Sequence, residues 1–218
     1  MPSGQPQTGM DAAPAFHPPV SIQTVRYGRP PVNIFVPQVT GMADPAVEAS
    51  INRQILQQTQ ALYEQQMRTQ TPGRTEMIAR YEIKTNERRV LSLIQVNGAY
   101  TPPMAHGMTY AGSLTFSVED GRNWPLAGLF KTGAPYEERL SGLIEAQIRR
   151  RDLPVLEPFR RIRPDQDYYL ADKSIVVYFQ VYELSPYYVG LPMFPISLYD
   201  LEDLIRENSP ADRLLAAT

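Results

Sequence analysis

TEMIARYEIKTNERRVLSLIQVNGAY, residues 75–100, alternates apolar and other residues on both sides of a polar TNER stretch. Met77, Ala79, Tyr81 and Ile83 occupy every second position before it, with Leu91 and Leu93 after it. A period of two is that of a strand with one buried face, so the stretch predicts an antiparallel hairpin. DPAVEASINRQILQQTQALYEQQM, residues 44–67, has the other period. Asp44 suits an N-cap and Pro45 the first helical turn, while Val47, Ile51, Ile55 and Leu62 share one face. The remaining face is Gln-rich and is expected in water, and TPGR at 71–74 ends the helix. A helix lying on a curled antiparallel sheet follows.

Outward from this unit, Ser21–Tyr27 and Val32–Val36 read as strands bounded by Pro30, Pro31 and Pro37, which suits sheet edges. Residues 1–20, rich in Pro, Gly, Gln and Ala, hold too little apolar surface to offset ordering entropy; they read as a disordered tail that includes His17. Downstream, Leu114, Phe116 and Val118 alternate up to an Asp120-Gly121 turn, and LAGLFKTG reads as a short helix stopped by Gly133. Tyr136, Leu140, Leu143, Ile144 and Ile148 define a second helix whose acidic start and triple-arginine end match its dipole. A strand, an Asp172-Lys173 turn, a strand over Ile175–Tyr182, a short strand near Phe194–Ser197 and a terminal helix complete the chain. The predicted class is α+β, with two helix-on-antiparallel-sheet lobes packed together, divided as 21–100 and 101–218.

The 21 basic and 23 acidic residues leave a net charge of −2, so no bulk field draws the chain to nucleic acid or an anionic membrane. Six arginines, Arg149, Arg150, Arg151, Arg160, Arg161 and Arg163, form the densest basic region, read as a solvated helix end. Cysteine is absent, which removes disulfides and thiolate chemistry. No run reaches the roughly 20 apolar residues of a membrane span. With no signal peptide in view, the compartment stays open between the cytoplasm and a chain whose leader or anchor was removed.

His106, inside AYTPPMAHGMTYAG (99–112), is the one histidine in a patterned region, and no G-x-S-x-G elbow offers it a serine. Asp165, Asp167 and Asp172 cluster but lack a calcium-loop spacing, and prolines and strand ends nearby suit turn-forming aspartates. No phosphate-binding or dinucleotide fingerprint occurs, and no cofactor or metal is expected. Tyr178, Phe179, Tyr182 and Phe194 read as packing residues, whereas Tyr187 and Tyr188 lie in a loop between proline and glycine, where tyrosine offers rigid contact area.

VPQVTGMADPAVEASIN, YEIKTNERRVLSLIQV, AHGMTYAGSLTFSVEDGRNWPLAGLFK and IRPDQDYYLADKSIVVYFQVYELSPYYVGLPMFPIS together resemble a bacterial family of paired domains of unknown function. That pair is similar to the extracytoplasmic region of a lysozyme-sensing anti-sigma factor and to the accessory region of a peptidoglycan deacetylase. The resemblance implies a non-catalytic α+β module that binds a protein or glycan, lysozyme or peptidoglycan fragments among them. The family's Gly-Gly-Ala-His-Gly loop matches here at Ala105, His106 and Gly107, whereas Pro102, Pro103 and Met104 depart from it. The candidate contact residues are His106, Gly107, Tyr110, Tyr187 and Tyr188, on the 99–110 and 184–194 loops. The alternatives are a carboxylate-dependent hydrolase using Asp165, Asp167, Glu183 and His106, and a cytoplasmic relative with another protein partner.

Overall fold

A computed structural model describes residues 18–216, so residues 1–17 of the expected 1–20 tail lie outside the described residues, whereas Val20 is buried in the core. Five strands, β1 (Ser21–Tyr27), β2 (Val32–Thr40), β3 (Glu76–Glu87), β4 (Val90–Tyr100) and β5 (Met108–Ser117), form one sheet in chain order. Three more, β6 (Tyr168–Ala171), β7 (Ser174–Tyr178) and β8 (Met193–Ser197), form a second, antiparallel sheet. Helix α1 (Pro45–Met67) covers the first sheet, α2 (Tyr136–Arg150) the second, and a six-residue α3 (Pro210–Leu215) ends the described chain. The class is α+β, as the patterning requires.

Helix α1 starts where the sequence places it: the Asp44 carboxylate accepts from the N–H groups of Ala46 (2.8 Å) and Val47 (3.4 Å). Ile51 and Ile55 are fully buried against Val36, Val39, Met77, Leu91, Leu93 and Phe116. The Gln-rich face does not all belong in water. Gln58 donates to Gln95 Oε1 (3.1 Å), Gln54 to the Gly121 carbonyl (3.0 Å), and the fully buried Gln66 to the carbonyls of Asn97 (2.8 Å) and Met108 (2.7 Å). The reason lies in the sheet: β4 buries the polar Gln95 and Asn97, and buried polar groups need partners.

The hairpin closes one step later than TNER. Glu87 pairs with Val90, and Arg88 and Arg89 make the turn with φ of 49° and 61°, the two positive values of a tight primed turn. Side-chain anchoring supports this conformation: Arg88 donates to the carbonyls of Arg213, Leu214 and Ala216, and Arg89 pairs with Glu119 at 2.5 Å.

Four expectations need correction. First, β2 and β3 pair in parallel (Val32↔Met77 to Ile34↔Ala79), because α1 carries the chain back to the same end of the sheet. Second, β2 continues through Pro37 to Thr40; beyond Ile34 its only strand partner among the described residues is β1, so the missing N–H of Pro37 breaks no ladder to β3. Third, β7 stops at Tyr178, and Tyr182 takes a φ of 68° in a turn. Fourth, SLYDLEDLI gives a single 3-10 turn, Leu198–Leu201, and α3 follows it, capped by Ser209. In addition, the first sheet runs on through β5, so the chain leaves it after Ser117 and not at residue 100.

The two sheets are joined through the edge of β6. The Leu170 N–H donates to Ser92 Oγ (2.9 Å), its carbonyl accepts from Thr85 Oγ1 (2.9 Å), and the Tyr168 carbonyl accepts from Ser113 Oγ. Ile94, Ala111, Tyr169, Val176 and Tyr178 fill the space beside this row. Burial pushes the Tyr168 and Tyr178 phenols far above their ordinary pKa, so both stay protonated, donating to the Trp124 carbonyl (2.6 Å) and Ser113 Oγ (3.0 Å).

Candidate binding surface

The loop between β4 and β5 is fixed at its base and free at its tip. Buried Thr101 donates to Gln70 Oε1 (2.8 Å) and shares a hydroxyl contact with Thr75 (2.9 Å), while residues 102–106 are exposed. Gly107 is required by closeness of chain: a Cβ there would stand 2.7 Å from the Ala99 carbonyl oxygen. The Gly107 carbonyl accepts from the Tyr187 hydroxyl at 3.0 Å and lies 2.9 Å from His106 Nδ1. The His106 ring rests on the Tyr187 ring with centroids 4.0 Å apart, and Tyr187 lies 5.8 Å from Tyr182, whose hydroxyl is 3.5 Å from His106 Nε2. Two loops distant in sequence thus make one aromatic platform.

Beside the platform runs a groove of ≈620 Å³ on the face of the first sheet turned away from α1. Ile78, Val96, Gly98 and Thr109 are among the residues lining it, with Arg80, Glu76, Tyr100 and Tyr187 also present. Ile78 is 50 % exposed there. The second lobe covers the rest of that face at Ile94 and Ala111, leaving this part open.

Of the candidate residues, the fold unites His106, Gly107 and Tyr187. Tyr188 follows on the same 3-10 turn, 77 % exposed. Tyr110 does not join them: strand alternation puts it in phase with Gly112, which faces Gln58 of α1, and with Leu114 of the α1 core. Sequence reasoning missed Tyr182, taken as a strand residue, and the groove floor. The signal for the floor was the second phase of β3, where Ile78, Arg80 and Glu82 alternate with the core residues.

The carboxylates of the hydrolase alternative do assemble, around an arginine. Arg163 pairs with Asp165 (3.3 Å), Asp167 (3.9 Å) and Glu183. Glu183 also accepts from the Gln180 N–H (2.7 Å) and the Gln166 amide (3.3 Å). Desolvation raises the Asp167 pKa above its ordinary value, opposed by the Gln180 hydrogen bond and Arg163. Gln180 donates to Asp167 (3.0 Å) and caps both backbone groups of Ala111 on β5 (3.1 and 2.9 Å). The cluster therefore holds the turn that presents Tyr182 and Tyr187. Among the described residues no group of three His, Cys, Asp or Glu side chains is arranged to hold a metal ion, and no helix is long and apolar enough to cross a membrane.

Comparison with known proteins places part of this architecture. Residues 127–199 match DUF3298. This family is described only as a protein of unknown function, and the match takes in α2, all of β6–β8 and the Tyr187 turn. The chain is also similar to the anti-sigma-V factor RsiV of Bacillus subtilis (strain 168), with 22 % identity over 190 residues, 80 % of this chain and 65 % of the relative. It thus spans just under two thirds of that relative's length. A crystal structure of a DUF3298 family member from Bacteroides fragilis superposes with a TM-score of 0.67 at 14 % identity, covering 91 % of this chain and 98 % of that one. A DUF3298 protein from Pseudomonas aeruginosa gives 0.66 at 15 %, covering 93 % and 99 %. At these identities the likeness is one of fold.

Proposed function

We propose that this chain is a non-catalytic module that recognises a macromolecule of the cell-wall environment, with C-type lysozyme as the first partner class and peptidoglycan fragments as the second. The observation that carries the reading is the open groove beside the His106–Tyr187 platform. Groove and platform combine exposed aromatic area, an apolar floor and rim charges, the composition of a protein-recognition surface. The resemblance carried by Ala105-His106-Gly107 supplies the partner class, and similarity to an anti-sigma factor agrees with a recognition role. Pro103 and Met104 stand where the resembling loop has glycines, and Pro102 precedes them, so the tip is stiffer here.

Calorimetric titration of the purified chain with C-type lysozyme and with soluble peptidoglycan fragments tests the proposal. Saturable binding to either, weakened by His106→Ala, supports it. Heat of dilution alone from both would remove the cell-wall reading.

A further inference from the structure

The two sheets have four outer edges, and the chain treats them unequally. The edge of β5 is capped by the Gln180 amide at Ala111, by Asn123 Oδ1 accepting from the Thr115 N–H (3.1 Å), and by the Trp124 N–H on the Thr115 carbonyl (2.8 Å). The edge of β6 is capped by the hydroxyls of Ser92, Thr85 and Ser113. Along β8, Gln147 of α2 and Arg151 at its C-cap donate to the Pro195 (2.9 Å) and Met193 (2.8 Å) carbonyls, and Pro195 has no N–H to satisfy. At β1 the situation is different. Among the described residues no group outside β2 bonds to the backbone of Ser21–Tyr27. An uncapped edge is a template for another strand.

The sequence of β1 favours its own copy as that strand. SIQTVRY contains no proline, lysine or bulge, and its one charged side chain, Arg26, is bonded to Asn33. Pairing two copies antiparallel about Thr24 sets Ile22 opposite the second copy's Arg26 and Gln23 opposite its Val25, so no like charges meet. Pro18 and Pro19 before the strand and Pro30 and Pro31 after it limit the length available for pairing. Next to the edge lies an apolar groove of ≈790 Å³ between α1 and the β1–β2 hairpin, where Tyr27 and Leu56 remain 44 % and 43 % exposed. In the joined sheet each Tyr27 stands opposite the second copy's Ser21, so the partner strand adds cover to an exposed ring at both ends of the paired edge. We propose that β1 pairs with β1 of a second copy, joining two five-stranded sheets across a two-fold axis at Thr24.

The full chain has no cysteine, which makes the test direct. Light scattering of the wild-type chain should report twice 24.7 kDa. Mild oxidation of Thr24→Cys should give a disulfide-linked dimer, because directly opposed residues bring their Cβ atoms to about 5 Å. Ser21→Cys, whose twin lies at the far end of the paired strands, should not crosslink. Thr24→Lys, with two ammonium groups face to face, should raise the dimer dissociation constant at least about tenfold while the circular dichroism spectrum stays unchanged. A monomer at the highest soluble concentration would overturn the proposal. So would equal crosslinking at both cysteines, a dimer indifferent to Thr24→Lys, or a dimer seen only after residues 1–17 are removed.

Discussion

The two faces of the five-stranded sheet are put to different uses. Over β3–β5 the α1 face is closed: Ile51 and Ile55 sit on apolar strand residues, and further along Gln58 and Gln66 meet Gln95 and the Asn97 carbonyl. The opposite face is only half covered, and where the second lobe ends a groove opens beside His106 and Tyr187. One face therefore supplies the stability that keeps the other face open and fixed. Rigid scaffolds that carry binding loops commonly divide labour in this way.

Substitutions can break that contrast. Ile55→Ala, on the closed face, should cost about 2–5 kcal/mol because it leaves a cavity that neither helix nor sheet can fill; chemical denaturation gives the number. Gly107→Ala sits at the junction of the two faces and should cost about 1–3 kcal/mol, since its methyl meets the Ala99 carbonyl and something must shift. A wild-type melting curve for this variant would mean that the close approach is not fixed. Tyr188→Ala, on the open side, should stay within about 0.5 kcal/mol of wild type by the same denaturation.

The smallest effect belongs to the arginine-centred cluster. Because desolvation raises the Asp167 pKa, the folded state holds that proton more tightly than the unfolded chain. The stability this contributes is complete below the ordinary carboxylate pKa and is lost as pH rises through the folded value. Asp167→Asn keeps an acceptor for Gln180 and removes this dependence. Relative to wild type, the variant should gain stability between pH 3 and pH 7, as read from urea midpoints across that range. A relative loss with rising pH would show that Arg163 outweighs burial.

Helix α1, the β3–β4 hairpin and α2 were legible because long periodic runs and caps act locally. What escaped depended on partners far along the chain. Period-two alternation is the same in parallel and antiparallel strands, so the β2–β3 orientation was invisible. The inward turn of Gln66 is set by Asn97 and Met108 across the interface. Tyr182 closes an aromatic run that looks like strand, yet Glu183 and Gln180 turn the chain there. At the site, His106 and Tyr187 could be named singly. Their contact spans some 80 residues of sequence, and the face of Tyr110 is decided only once the register with β4 is set.

Under the proposed function, recognition belongs to the open face. The most direct measurement is calorimetry of C-type lysozyme binding to two variants, Tyr187→Ala on the groove and Tyr110→Ala on the α1 side. Tyr187→Ala should lose at least about tenfold in affinity, about 1.4 kcal/mol, and Tyr110→Ala should keep wild-type affinity. Equal losses, or a loss confined to Tyr110→Ala, would contradict it.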